Sequence, residues 1–306
     1  MPPEPPPNRD LRGRLKPWIL PIWNGGHQVA WKLGEFADAI GRRRFARCDA
    51  CGRFGPMLYR RWVVPPKLER MWGLSPREAE ALARKESCDC WACGAKLRGR
   101  RLARALVDRF PAGDRPGRPK SAREWARTDA ARLLQIAEVN RIDGLHEAIA
   151  GLPGLAYSDY LEGIEPGTVS GGVRCEDLTH LTYQSGRFDA VLSSETLEHV
   201  PDLAAALREI RRVLKPGGVH LFTVPVRPGL ERSYPRRLYR ADGTIEEIEP
   251  LCHPGGDVGY PVVTEFGRDL PAIVEAAGFS VSVRFGPLTE DDLCQVYEAR
   301  KIGEDG

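Results

Sequence analysis

The chain has 306 residues, of which 42% are hydrophobic and 28% charged, and its formal net charge is +3. This length accommodates one full α/β domain and a smaller module, and the hydrophobic content is ordinary for a soluble protein. The longest apolar run near the start, Trp18 to Trp23, contains a proline and is far too short for a membrane-spanning helix.

The beginning of the chain, MPPEPPPNRD, lacks the apolar core of a signal peptide, so the sequence predicts a cytoplasmic protein. Its richness in proline predicts that residues 1–10 are disordered, so residues 1–44 are predicted to be a partly disordered N-terminal segment. Eight cysteines in a cytoplasmic chain favour metal binding or plain packing over disulfides.

Charge is unevenly distributed along the sequence. Residues 1–120 contain 26 Lys and Arg against 12 Asp and Glu, a net charge of +14, and the remainder contains 19 against 30, a net charge of −11. A basic first part attracts nucleic acid, anionic lipid or a phosphorylated substrate, or it forms a solvated surface that docks on its own acidic partner domain. Both interpretations remain open at the level of sequence.

Two CxxCG units indicate a metal site. Two residues between cysteines allow both thiolates to face one ion, and the following glycine supplies the tight turn of a zinc knuckle. Two knuckles together give four thiolates, the closed set of a structural zinc site. The alternatives are that some of these cysteines are simply buried, or that Cys88 replaces Cys90. The predicted zinc ligands are Cys48, Cys51, Cys90 and Cys93.

The knuckles are separated by a long insert in which Ser75-Pro76-Arg77-Glu78 carries the residues of a capping box and predicts a helix to about Lys85. A basic segment at Leu97 to Leu106 follows and is predicted to be helical. Residues 45–109 are therefore predicted to form a small zinc-ribbon-like module with a helical insert. The segment 110–120, rich in proline, glycine and charge, is predicted to be a linker.

The stretch from Phe188 to Pro225 reads as a strand, a helix and a second strand. An apolar run of strand length begins it, and leucines and an isoleucine at helical spacing follow from Asp202. Lys215-Pro216-Gly217-Gly218 is typical of a helix end, and the apolar run Val219 to Val224 is typical of a buried strand. Parallel strands of this kind bind ligands at their carboxyl ends.

This stretch also resembles a known family. FDAVLSSETLEHVPD followed by LREIRRVLKPGG is similar to the fourth strand and following helix of class I S-adenosylmethionine (SAM)-dependent methyltransferases of the type 11 kind. The resemblance extends over about residues 130–299. It implies an α/β fold with a seven-stranded Rossmann-like methyltransferase sheet in residues 121–306, with SAM as cofactor. Some members with N-terminal zinc knuckles are similar in lacking the usual glycine-rich loop.

The loop after the predicted first strand, Arg132 to Ala137, is where this sequence departs from the family. It reads EVNRIDG and has a single glycine where the family has several. SAM has no phosphate, so the loop does not need to bind an anion. It needs only to let the backbone approach the cofactor closely. The resemblance places Ala137, Glu138 and Asn140 at the cofactor, with the small alanine and the short asparagine allowing that approach.

Further cofactor residues follow from the same resemblance. Asp159, at the end of the second strand, is expected to accept hydrogen bonds from the ribose hydroxyls, and its alternative is a loop acid on the surface. Asp177 is expected to accept from the adenine amine while Leu178 packs on the ring. Ser194 and Glu195 stand at the carboxyl end of the fourth strand.

His199 is the candidate general base for methyl transfer by residue type. Its alternative is a histidine that only organises the loop, because a Leu-Glu-His triplet is common in the family without a catalytic role. A further alternative is a divalent-ion site formed by Glu195, Glu198 and His199 with the distant His253. The polar insertion 227–259 after the fifth strand is expected to cover the substrate.

The sequence therefore predicts a SAM-dependent methyltransferase that transfers a methyl group to an oxygen or nitrogen of a sugar or other small metabolite. One alternative is an RNA methyltransferase that uses the basic zinc module to bind nucleic acid. Another is a non-catalytic binding protein with a degenerate SAM site, which the missing glycines favour. The acids Asp159 and Asp177 argue against it, because a decayed site has no reason to keep them.

Overall fold

The structure is a computed structural model, and it describes residues 34–35, 37–42, 44–112, 118–240, 242–253 and 260–303. Residues 34, 35 and 37–41 are helical. The proline-rich start and the run from Trp18 to Trp23 lie outside the described residues, as does the middle of the predicted linker. No helix in the described part of the chain is long and apolar enough to cross a membrane.

The N-terminal module contains a small antiparallel sheet and three helices. The helical excursion between the two CxxCG units occurs as predicted, and its second helix begins with a complete capping box between Ser75 and Glu78. In chain order the elements are β1 (Phe45–Arg47), β2 (Phe54–Leu58), a 3-10 turn (Arg61–Val63), α1 (Pro66–Trp72), α2 (Pro76–Ser87), β3 (Asp89–Cys90) and α3 (Leu97–Arg109).

The rest of the chain alternates strands and helices. Its elements are α4 (Ala122–Trp125), α5 (Asp129–Arg132), β4 (Ile136–Val139), α6 (Leu145–Ile149), β5 (Leu155–Asp159), β6 (Val169–Ser170), β7 (Val173–Cys175), β8 (Phe188–Ser194), a 3-10 turn (Leu197–His199), α7 (Leu203–Val213), β9 (Leu214–Thr223), β10 (Tyr234–Pro235), β11 (Arg237–Tyr239), β12 (Ile245–Glu247), β13 (Cys252–His253), β14 (Tyr260–Pro261), β15 (Thr264–Glu265), α8 (Leu270–Ala276), β16 (Phe279–Arg284) and β17 (Val296–Lys301).

Eight of these strands form one large mixed sheet in the order β16-β17-β9-β8-β4-β5-β7-β6. Strands β9, β8, β4, β5 and β7 run parallel, and β17 inserts antiparallel between β16 and β9. The α/β methyltransferase fold predicted from the sequence is confirmed. Seven strands are the expected ones, and the eighth, β6, is a two-residue antiparallel addition at the edge.

Alternation along the central strands divides the core between the two faces of the sheet. Ala190 and Leu192 belong to the cluster on one face, whereas Val191 belongs to the cluster on the other. Helix α7 covers the second face through Leu207 and Ile210. The first face is covered by α3 of the N-terminal module together with α4 and α6.

Before β4 the chain forms two four-residue helices, α4 and α5, which Ser121 and Thr128 cap separately. Two details differ from the sequence prediction. The first parallel strand begins at Ile136 rather than Arg132, because α5 extends to that arginine. The predicted helix end at residues 215–218 lies inside β9, whose pairing with β8 shifts register there.

The module and the sheet share one hydrophobic core. Leu102 and Leu106 of α3 lie in the same cluster as Ile136 of β4 and as the thiols of the knuckles. The backbone N–H of Ala122 donates to the carbonyl of Asp49 at 2.7 Å, which ties α4 to the first knuckle. The module predicted for residues 45–109 therefore contributes a covering layer of the sheet.

The insertion after β9 folds into three short two-stranded ladders, β10 with β15, β11 with β12 and β13 with β14. It returns to the carboxyl end of β8, since the backbone N–H of Val263 donates to the carbonyl of Glu198 at 2.7 Å. The side chain of Arg236 lies buried within it beside Glu265. The insertion is thereby fixed beside the 3-10 turn that contains His199.

Candidate functional site

The four cysteines of the two CxxCG units lie together. Their Sγ atoms are all within 4.8 Å of one another, with Cys48 and Cys93 3.7 Å apart and Cys51 and Cys90 3.8 Å apart. A zinc ion bound at about 2.3 Å to four tetrahedral thiolates holds them about 3.8 Å apart. The spacing of the thiols therefore fits zinc.

Contacts among the thiols shift their pKa values in opposite directions. The contact with Cys90 raises the pKa of Cys48 to about 12, and the contact with Cys48 raises that of Cys93. The pKa of Cys90 is lowered, because its thiolate accepts from both neighbours. Binding of a divalent cation to this cluster would require the thiols to lose their protons, because the thiolate is the form that binds metal.

Cys88 lies outside this cluster. Burial raises the pKa of its thiol, and its carbonyl accepts a hydrogen bond from Arg100 at 3.0 Å. Cys88 caps the end of α2, whereas Cys90 belongs to β3 and supplies the fourth thiol. Of the two cysteines left open by the sequence, the structure brings Cys90 to the cluster.

The second candidate site is the edge of the sheet formed by the carboxyl ends of β4, β5, β7 and β8. The loop after β4 is held there by Glu138. Its fully buried carboxylate accepts from the backbone N–H of Ile142 at 3.0 Å and lies 2.7 Å from Nδ1 of His146. Burial raises the pKa of Glu138. Both carboxylate oxygens are thus engaged in shaping the loop, and Ala137 is buried in the core.

Asn140 occupies a glycine-like position at the start of this loop. Its φ is 67°, in the left-handed region that asparagine tolerates better than most residues. Its backbone N–H donates to the carbonyl of Ser158 at 2.9 Å, and its side-chain amide donates to Oγ1 of Thr196 at 3.3 Å. Asn140 therefore makes the turn without a glycine and links three neighbouring segments of the edge.

The one glycine of the loop faces the module. Gly144 has a φ of 68°, and a Cβ placed on it would lie 2.5 Å from the Cβ of Ala95, directly after the second knuckle. Gly99 makes a similar close contact from the other side, since its Cβ would lie 2.9 Å from the carbonyl oxygen of Asp143. The glycine is required by the contact between the loop and the module.

Asp159 ends β5 beside Asn140, as the register of β4 and β5 requires. Its Oδ1 accepts from the backbone N–H of Tyr160 at 3.0 Å, and Tyr157 donates to its Oδ2 at a long 3.4 Å. Burial raises the pKa of Asp159. The neighbouring ring of Tyr160 is 65% exposed, so this end of the edge is open to a ligand.

Asp177 and Leu178 follow β7, the next strand along the edge. Oδ1 of Asp177 accepts from both the backbone N–H and the hydroxyl of Thr179, at 2.8 and 2.7 Å. Leu178 is buried in the core on the α7 face. The structure places the acid of this pair at the strand end that the sequence predicted, in a turn that fixes one of its oxygens.

Ser194 and Glu195 lie at the end of β8, the fourth predicted strand. Oγ of Ser194 is 2.9 Å from the hydroxyl of Thr223. Glu195 has a φ of 51°, a strained value for a residue with a side chain. Its Oε2 accepts from the ammonium of Lys85 at 3.0 Å, and that lysine also donates to the carbonyl of Val224 at 3.0 Å.

A cavity of about 140 Å³ lies between this edge and the module. Asn140, Ser194 and Glu195 line one side, and the start of α3 lines the other. Its volume is below the roughly 300–1,000 Å³ of a typical small-molecule pocket, and it suits one end of a larger ligand. The cavity is lined by Lys96, Arg98, Gly99, Asn140, Arg141, Ile142, Asp143, Ser194 and Glu195.

His199 lies in the 3-10 turn after β8, outside this lining. Its Nδ1 is 2.8 Å from the carbonyl oxygen of Pro261, so Nδ1 carries the donated hydrogen. Burial lowers the pKa of His199, and burial raises that of the neighbouring Glu198 well above its ordinary range. Both effects favour the neutral form. The side chain of His253, the fourth member of the alternative ion site, lies outside what the structure describes.

Sequence reasoning missed the contribution of the module to the edge. Lys85, Lys96, Arg98 and Gly99 come from the region predicted to be a zinc ribbon with a helical insert. One signal was present in the sequence: Lys85 lies on the apolar face of α2 with Ala81 and Leu82. The placement of the other three depends on how α3 docks.

Comparison with known families supports the fold. Residues 160–222 match the family described as "Methyltransferase domain". The match spans β6 to β9 and includes Asp177, Glu195 and His199, and it leaves out the loop after β4 and the cysteine module. The methyltransferase resemblance stated from the sequence is confirmed over this part of the chain.

The curated relatives that match this chain are also named as methyltransferases. The chain is 41% identical to the demethylmenaquinone methyltransferase of Corynebacterium urealyticum over 77 residues, 24% of this chain and 34% of the relative. It is 33% identical to the ubiquinone biosynthesis O-methyltransferase of Xanthomonas oryzae pv. oryzae over 132 residues, 37% of this chain and 55% of the relative. The chain thus spans between a third and about half the length of these relatives.

Among solved structures, the chain resembles the 1,6-didemethyltoxoflavin-N1-methyltransferase of Burkholderia thailandensis, which was determined with S-adenosylhomocysteine bound. The two are 17% identical, with a TM-score of 0.39, over 68% of this chain and 79% of that chain.

Proposed function

We propose that this chain, which carries a segment of the methyltransferase domain family at residues 160–222, is a SAM-dependent methyltransferase acting on an oxygen or nitrogen of a small molecule. The observation that carries the proposal is the set of acids at the carboxyl ends of three parallel strands of the sheet: Asp159 at the end of β5, Asp177 after β7 and Glu195 after β8. In parallel sheets this edge is where ligands bind.

The hydrogen-bond acceptors at the edge fit SAM. Carboxylates accept hydrogen bonds from two hydroxyls at once, and Asp159 lies half-buried with an exposed tyrosine ring beside it. The cavity at Glu195 suits the amino-acid end of such a ligand. SAM supplies a methyl group on a positively charged sulfur, and the residues of this chain bind it, orient it and exclude water.

His199 is the base proposed to take a proton from the acceptor. Because Nδ1 donates to the carbonyl of Pro261, the neutral ring presents Nε2 as the proton acceptor. The lowered pKa keeps the ring neutral near pH 7. The insertion is proposed to hold the acceptor molecule. The hydrogen bond from the backbone N–H of Val263 to the carbonyl of Glu198, which fixes the insertion beside this turn, supports that role.

The acceptor is proposed to be a sugar or another small metabolite with a hydroxyl or amine. The names of the curated relatives point to demethylmenaquinone and to ubiquinone biosynthesis as other candidate sources of the acceptor. The thiol cluster is proposed to bind a structural zinc ion. An RNA acceptor remains the second candidate, and the +14 net charge of residues 1–120 favours it.

The test is calorimetric binding of SAM and S-adenosylhomocysteine to zinc-loaded protein. Asp159→Asn keeps the size of the side chain and removes its charge, so affinity is expected to fall by about 10-fold to 100-fold, the usual range for a hydrogen bond to a charged group. Glu162→Gln, a nearby exposed acid, is the matched control and is expected to bind normally.

No binding of either ligand to the well-folded wild-type protein would reject the enzyme and leave a binding protein with a degenerate site. If both ligands bind, methyl transfer from radiolabelled SAM to small hydroxylated acceptors is measured beside transfer to RNA. Transfer to RNA alone, weakening steeply with salt, would favour the second candidate.

A further inference from the structure

A buried ion pair joins the cysteine module to the edge of the sheet. Lys85, on α2 between the two knuckles, is 1% exposed, and its ammonium lies 3.0 Å from Oε2 of Glu195 at the end of β8. The same ammonium donates to the carbonyl of Val224, one residue beyond β9. Lys85 thus reaches across the module boundary to two neighbouring strands.

The lysine remains charged in this position. Burial by itself lowers the pKa of Lys85, but the interactions with Glu195, Glu86 and Cys294 together outweigh burial, and the net shift is upward. A buried ammonium is tolerated only when it is paired and hydrogen-bonded, and here it has a carboxylate and a carbonyl. The pair is therefore a fixed feature of the folded chain.

Glu195 has one oxygen left for a ligand. Its Oε1 is buried and has no hydrogen-bond partner within the described part of the chain, and its residue lines the 140 Å³ cavity. The side chain is 12% exposed, and its backbone is held in a strained conformation. An unpartnered carboxylate oxygen beside a cavity suits a cationic hydrogen-bond donor, such as an ammonium group.

The second knuckle connects the parts of the module that reach this cavity. Lys85 lies near the end of α2, which is followed at once by Cys90 and Cys93, and Lys96 and Arg98 begin α3 directly after them. Arg98 forms an ion pair back to Glu86 of α2. The positions of both helix ends are therefore fixed by the knuckle that lies between them.

We propose that the cysteine module completes the ligand site at the edge of the sheet, with Lys85 as a positioning residue for Glu195, so that binding of SAM and of zinc are coupled. The inference rests on the proposed function and deepens it. Zinc fixes the second knuckle, the knuckle fixes the ends of α2 and α3, and Lys85 holds Glu195 with Oε1 turned to the ammonium end of the ligand.

The first test is a double-mutant cycle read out by S-adenosylhomocysteine binding to zinc-loaded protein. Lys85→Met is expected to weaken binding at least about 10-fold, because a charge-assisted contact then lacks its fixed partner. In a Glu195→Gln background the same substitution is expected to change affinity less than about threefold. Lys67→Met, an exposed lysine on α1, is the matched control and is expected to bind like the wild type.

Equal weakening by Lys85→Met in both backgrounds would overturn the proposal, since the lysine would then act through general packing. If Lys85→Met alone fails to fold, the pair Lys85→Met with Glu195→Gln removes the unpaired charge. That pair is then compared with Glu195→Gln alone, and a difference above about threefold would overturn the proposal.

The second test uses the reciprocity of coupled binding. S-adenosylhomocysteine is expected to slow the transfer of zinc from the wild-type protein to a chromophoric chelator, and to have no such effect in Lys85→Met. An unchanged rate of zinc transfer with the ligand bound would reject the coupling while leaving the proposed function intact. Failure of the wild-type protein to bind the ligand would reject the proposed function itself, so the two failures are distinguished.

Discussion

The thiol cluster and the edge of the sheet are two candidate sites that this chain assembles in different ways. The four thiols come from two four-residue segments, and each segment brings its pair of cysteines together by itself. The cavity at the edge draws its lining from the start of α3, the loop after β4 and the end of β8. These three segments meet only when the module docks on the sheet.

The difference shows which kinds of site a local pattern specifies. Thiolate spacing needs only two knuckles and a short sheet to join them. The edge needs a glycine wherever its backbone closely approaches another part of the chain. Gly144, the glycine of its loop, allows the close contact with Ala95. The glycine-poor loop is thus compatible with a ligand site that is completed by another part of the chain.

Loss of the metal site is expected to have the largest effect. Cys51→Ser removes one of the four proposed zinc ligands, and because structural zinc contributes folding free energy directly, the free energy of unfolding is expected to fall by about 5 kcal/mol. That corresponds to a fall in Tm of roughly 10 °C or more for a chain of this size. Zinc content by mass spectrometry and thermal unfolding are measured together.

Cys88→Ser is the control for that prediction, because Cys88 lies outside the cluster. It is expected to retain one zinc ion per chain and nearly the wild-type Tm. Full zinc content in Cys51→Ser, or loss of zinc in Cys88→Ser, would show that the metal site is assigned to the wrong thiols.

Substitution of His199, the proposed base, tests the 3-10 turn that follows β8 at the edge of the sheet. His199→Asn is expected to lower kcat by about 100-fold to 10,000-fold, the range for general base catalysis. Because burial lowers its pKa, His199 is neutral above its ordinary value of about 6.5, and wild-type kcat is expected to fall only as pH drops below that value. The measurement is a pH profile of kcat for both proteins.

A kcat for His199→Asn within about threefold of the wild type would assign the histidine to the loop alone. The profile then separates the two roles, since a histidine that only organises the loop gives no acid limb that disappears in the variant.

The smallest expected effect concerns the contact between the two regions. Gly144→Ala places a Cβ 2.5 Å from that of Ala95 and forces alanine into a left-handed backbone conformation. The free energy of unfolding is therefore expected to fall by about 2–4 kcal/mol. Gly163→Ala is the matched control, because Gly163 has a φ of 74° with nothing within 4 Å of its Cβ.

The control is expected to lose about 1–2 kcal/mol from backbone strain alone. The difference between the two variants in chemical denaturation measures the close approach itself. Equal losses of unfolding free energy in the two variants would mean that the module and the loop are not in close contact.

Much of the fold followed from the sequence because its signals are local. The apolar runs of β8 and β9, the helical spacing in α7 and the capping box of α2 each depend on neighbouring residues. Errors arose where tertiary contacts override a local pattern. Residues 215–218 have the composition of a helix end, yet pairing with β8 draws them into β9.

The sequence by itself determined the spacing of the four cysteines, the succession of strands along the chain with the acids at their ends, and the departure in the first loop. Only the tertiary structure decided that Glu138 shapes that loop, that Gly144 contacts the knuckle, and that Lys85 pairs with Glu195. The physical reason is sequence separation. Turns and helix faces are set by residues within about four positions, whereas a buried ion pair between residues 85 and 195 exists only after two layers pack.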